Sequence, residues 1–107
     1  MSDETKELDA KARDLQPDLA RAERAKQILE DPMVVEAFDA IETSCLEGFK
    51  ASGPDQVAFR EDCHKIFLAI GMFKDIFKKH LDTGKMANSR LLEINEQKKT
   101  IKERMFG

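Results

Sequence analysis

Four side chains in this 107-residue chain stand out as candidates for covalent or metal chemistry: Cys45, Cys63, His64 and His80. The two thiols could form a reversible disulfide, or with His64 supply part of a metal site. Residues 63 and 64 point about 100° apart on a helix, and neither a further Cys nor a His at i+3 or i+4 joins them, so the spacing does not suit zinc. Two small buried hydrophobes is the plain reading, with the disulfide and the metal kept beside it. His80 follows Lys78 and Lys79 near an expected helix end, where a cation sits well against the helix dipole. Glu61-Asp62 reads as a solvent-facing acidic pair. No Ser/His/Asp spacing and no Gly-rich phosphate loop occurs. The expectation is a protein without catalytic residues, cofactor or metal, and not an enzyme.

The other chemistry in reach is electrostatic. Lys98, Lys99, Lys102 and Arg104 cluster within seven positions and could contact phosphates. A solvated helix face is the commoner explanation, because the chain as a whole carries −3 and no aromatics interleave with these cations. The charge is graded: −3 over residues 1–31, −3 over 32–54, 0 over 55–84 and +3 over 85–107. An oligomer would multiply the basic end and add weak phosphate contacts together.

Whatever these groups do, helices must carry them. Phe supplies all seven aromatics, charged residues make up 36% and Gly and Pro are scarce, a helical composition. No run approaches the roughly 18 apolar residues of a membrane span, and MSDETKELD lacks a signal-peptide apolar core. The expected compartment is the cytoplasm, with reduced thiols.

Residues 1–16 are polar and alternate in charge, which predicts a disordered arm ahead of a single helical domain over 17–107. Pro17 suits the first turn of a short helix over 17–30. Asp31-Pro32 is a restart signal, Asp capping the new helix and Pro presetting φ at its first position. From there Val34, Phe38, Ile41, Cys45 and Phe49 mark one face as far as residue 51. Ser52-Gly53-Pro54-Asp55 ends that helix, and so short a link dictates an antiparallel return.

The return helix is expected over 55–82, with Phe59, Cys63, Ile66, Ile70, Phe73, Phe77 and Leu81 at heptad-like steps. Folding back at Gly53-Pro54 sets Phe49 opposite Phe59, Cys45 opposite Cys63, Ile41 opposite Phe67 and Phe38 opposite Ile70. Thr83-Gly84 reads as a left-handed glycine stop before a last helix over 85–104. The fold class is thus all-α, a long antiparallel helical hairpin flanked by a short N-terminal and a C-terminal helix. Val57, Met72 and Ile76 widen the apolar face beyond a two-helix seam, so the expected state is a homo-oligomer whose core and contact residues are Phe38, Ile41, Phe49, Phe59, Ile66, Phe67, Ile70, Phe73, Phe77 and Leu81.

The runs RAERAKQILEDP at 21–32, EAFDAIE at 36–42 and TGKMANSRLL at 83–92 resemble short helical proteins of tailed phages, prophages and gene transfer agents. That group is similar to a minimal terminase small subunit, which forms rings, selects DNA for packaging and regulates the large motor subunit. The resemblance implies an oligomeric adaptor in the host-cell cytoplasm, with the large terminase subunit as partner and DNA as a possible one. It departs from the family in lacking the N-terminal helix-turn-helix, which puts sequence-specific DNA recognition in doubt. The alternative is a virion or scaffold-like component whose helices dock onto protein alone.

Overall fold

A computed structural model describes residues 3–106, and among them there are three α-helices and no strand. Helix α1 spans Asp3–Glu30, α2 spans Pro32–Ala51 and α3 spans Val57–Phe106. Met1 and Ser2 of the expected arm, and Gly107 of the expected domain, lie outside the described residues.

Helix α2 begins where Asp31-Pro32 predicts. The Asp31 carboxylate accepts from the backbone N–H of Met33 (2.8 Å) and Val34 (3.3 Å), satisfying two donors that no helical carbonyl reaches, with Pro32 in the first turn. Asp31→Ala is expected to cost about 1 kcal/mol, measured as a shift in the urea midpoint with an unchanged slope. At the other end the Ser52 hydroxyl donates to the Phe49 carbonyl (2.6 Å). Gly53 N–H donates to the Gln56 side chain (2.8 Å) while Gln56 N–H donates to the Gly53 carbonyl (3.0 Å), closing the loop that leads into α3.

Two expectations are corrected. Residues 3–16 are not an unstructured arm but the first half of α1, and Pro17 lies inside that helix and not in its first turn. A proline there removes one backbone hydrogen bond without ending the helix, because flanking turns and packing outweigh it. The expected stop at Thr83-Gly84 is also absent: α3 runs through it for 50 residues, and no glycine among the described residues has a positive φ.

The chain divides into two compact units where a single domain over 17–107 was expected. The first combines residues 1–25 with 79–107. In it Ala22 meets Gly84, Asp9 pairs with Lys98, and Glu4 pairs with Arg104 at 3.4 Å, so rising numbers on α1 meet falling numbers on α3 and the two segments run antiparallel. Its buried residues among those described are Leu8, Ala25, Gly84, Ala87 and Ile94. Gly84 therefore serves a close approach: a Cβ built there would overlap the Cβ of Ala22 and lie 3.6 Å from its Cα.

The second unit is residues 26–78. Phe38 meets Phe73 edge-on (ring centroids 5.4 Å apart), Glu42 pairs with Lys74 (2.8 Å), Gly48 lies against Phe59 and Cys63, and the Arg60 guanidinium sits 4.7 Å from the Phe49 ring centre. Phe38 thus reaches one turn beyond Ile70, the residue expected opposite it. Buried hydrophobic residues here are Cys45, Cys63 and Ile70, at 7%, 5% and 8% exposure.

Candidate interaction surfaces

A face becomes a candidate interaction surface when it leaves apolar area or charge that the chain itself does not use. Seventeen large hydrophobic side chains are exposed among the described residues, and thirteen of them fall in residues 26–78. They include Phe49, Phe59, Ile66, Leu68, Met72 and Ile76. The physical cause is simple: two helices touching along one seam bury one narrow stripe each, whereas α2 and the first half of α3 carry apolar residues around much wider arcs. Water is left against the remainder, at a cost that scales with the area.

The ten expected core or contact residues divide by this criterion. Ile70 is buried, while Phe38, Phe77 and Leu81 are half-buried. Ile41, Phe49, Phe59, Ile66, Phe67 and Phe73 are exposed. Phe73 also packs on Phe77, with centroids 5.0 Å apart. Leu81 belongs to the other unit. Sequence spacing singled out the apolar arc of α3 but passed over Val35 and Leu46 of α2, which are exposed. Their four-residue offset from Asp39 and Glu42 hides them inside a run that reads as a charged surface.

A notch of about 240 Å³ opens beside Phe38, lined by Leu29, Val35, Phe38, Asp39, Lys74 and Lys78. Nearer the loop between α2 and α3 the Arg60 side chain stacks on Phe49, a cation–π contact that leaves its Nε buried without a hydrogen-bond partner.

The basic cluster at the C-terminal end is only partly available. Lys98 is paired with Asp9 and Arg104 with Glu4, both carboxylates from α1. Lys99 and Lys102 are exposed on the same helix. The thiols of Cys45 and Cys63 are free and buried. Among the described residues no group of three or more His, Cys, Asp or Glu side chains could hold a metal ion, and no helix is long and apolar enough to cross a membrane. Compared with known proteins, the chain matches no family model, no curated protein and no solved structure.

Proposed function

We propose that this chain is a non-enzymatic assembly adaptor, in which α2 and the first half of α3 act as an antiparallel hairpin that packs against further copies of itself. The observation that carries this reading is the concentration of exposed apolar side chains in residues 26–78, a unit whose buried hydrophobic residues are just Cys45, Cys63 and Ile70. So small a core cannot offset the ordering of some fifty residues, so the exposed face is a surface to be covered and not a solvated one. The finer assignment is a DNA-packaging adaptor of the terminase small-subunit kind, recruiting or regulating a large motor subunit in the cytoplasm of a host cell. It is supported by the motifs at 21–32, 36–42 and 83–92.

A second reading, a structural or scaffold-like component that docks on protein alone, is favoured by one observation: Asp9 and Glu4 already occupy Lys98 and Arg104. That leaves Lys99 and Lys102 of the cluster for phosphates. Sedimentation with a mixed-sequence DNA duplex at low salt separates the two. The packaging reading expects assembled protein to carry DNA with it, and Lys99→Ala with Lys102→Ala to flatten the salt dependence by about 2 in log–log slope per chain engaged. Assembled protein that leaves the duplex behind establishes the second reading.

A further inference from the structure

We infer that Cys45 and Cys63 form one thiol–disulfide exchange site, which a small disulfide of the glutathione class oxidises to an intramolecular bond between α2 and α3. The inference concerns a single chain and does not depend on the assembly reading. Both thiols are free, and both belong to residues 26–78. At 7% and 5% exposure they are the best-covered hydrophobic side chains described in that unit. Where two helices make up most of a unit, a small side chain is covered to that extent only in the seam between them.

Contacts fix the register on both sides of the pair. Toward the loop, a Cβ built at Gly48 would lie 3.1 Å from the Phe59 ring and 3.9 Å from the Cys63 sulfur, and Arg60 stacks on Phe49. Away from the loop, Glu42 pairs with Lys74 and Phe38 meets Phe73 edge-on. Cys45 stands three residues from Glu42 and three from Gly48, which places it in the Cys63 layer of the seam. Helix packing turns that placement into reach. Packed helix axes lie about 8–10 Å apart and Cα atoms about 2.3 Å from each axis, so opposed Cα atoms approach to about 3.5–5.5 Å. A disulfide spans about 4.4–6.8 Å between Cα atoms.

Exchange runs in two steps. One cysteine sulfur attacks oxidised glutathione, giving a mixed disulfide and releasing one glutathione; the other cysteine then attacks the protein sulfur of that mixed disulfide and releases the second. Two cysteine thiols give up two electrons and two protons, and one glutathione disulfide takes them up as two thiols. Brief opening of so small a core exposes the sulfur that reacts first. The product ties α2 to α3 across 17 intervening residues, in a unit whose other buried hydrophobic residue is Ile70. A cross-link there restricts the unfolded chain and holds closed a hairpin whose core is too small to do so. The pair is thus a redox-dependent clasp on the hairpin.

The test equilibrates the full-length native protein, without air, against glutathione buffers of graded oxidised-to-reduced ratio. Remaining thiols are trapped with N-ethylmaleimide and the intact chain is weighed. The same titration in urea, with unfolding checked by circular dichroism, supplies the unfolded reference. The native chain is expected to lose both maleimide sites together and to become lighter by two hydrogens, and trypsin to release residues 27–50 joined to residues 61–65. Its midpoint is expected roughly 100-fold further toward reduced glutathione than that of the unfolded chain, the factor by which a cross-link over so short a loop favours the folded state. A native chain no easier to oxidise than the unfolded one overturns the proposal, because the helices would then hold the sulfurs apart. So does a native product that stops at glutathione adducts or joins two chains.

Discussion

The same substitution, glycine to alanine, is expected to have opposite effects at two positions of α3. Gly84→Ala should lower stability by about 2 kcal/mol, roughly 10 °C in melting temperature, whereas Gly71→Ala should raise it by up to about 1 kcal/mol. Nothing lies within 4 Å of a Cβ built at Gly71, so the alanine there only restricts the unfolded chain and favours the helix. At Gly84 the added methyl meets the Cβ of Ala22, the Cα of Ala22 at 3.6 Å and the Asp18 carbonyl at 3.9 Å. None of these is the end of a flexible side chain, so relief requires α1 to move as a body and to lose its packing around Ala25 and Ala87. Adding Ala22→Gly to Gly84→Ala should return part of the loss, measured by thermal melts of the two single variants and the double.

Ile70→Ala is the second large effect. Ile70 is the one large aliphatic side chain buried in residues 26–78, its companions being the two small thiols. Truncation removes about three methylene-equivalents from a buried site and leaves a cavity, a loss of about 3 kcal/mol. By contrast, Ile66→Ala, about one turn away and exposed, should cost under about 1 kcal/mol in dilute protein and more as concentration rises and neighbours cover it. Melting curves for both variants at two concentrations check the pair: Ile70→Ala is weak throughout, while the Ile66→Ala deficit grows with concentration.

The elements that were legible in the sequence are those with explicit punctuation. Asp31-Pro32 starts α2 and Ser52-Gly53 ends it, because a capping carboxylate, a preset φ and a missing donor act within a few residues. The apolar arc of α3 was legible for the same reason, since its period is local. Less legible was anything fixed by packing between distant segments. Leu8, Leu15, Ala22 and Leu29 are seven apart, and so are Cys63, Ile70, Phe77, Gly84, Leu91 and Lys98. Those two rows carry α1 through the polar start and through Pro17, and α3 through Thr83-Gly84. Local composition says disorder and stop, but a continuous heptad row with a partner alongside outweighs one proline or one glycine. Gly84 looked like an end because glycine most often is one; its close approach to Ala22 depends on a residue 62 positions earlier.

The basic cluster shows the same limit. Its four cations are adjacent in sequence, yet Asp9 and Glu4, which engage two of them, come from the far end of the chain. Such solvent-accessible pairs, Glu4–Arg104 exposed and Asp9–Lys98 half-buried, contribute little to stability, so their main consequence is for binding: any phosphate must displace a carboxylate at Lys98 and Arg104.

The measurement that bears most directly on the whole account is the absolute mass of the full-length protein in solution, by light scattering across a concentration series into the tens of micromolar. The apolar faces of residues 26–78 predict a defined multiple of the 12.2 kDa chain, stable on dilution until the assembly and the helicity fall together. A single 12.2 kDa species at every concentration, with its helicity intact, would contradict it.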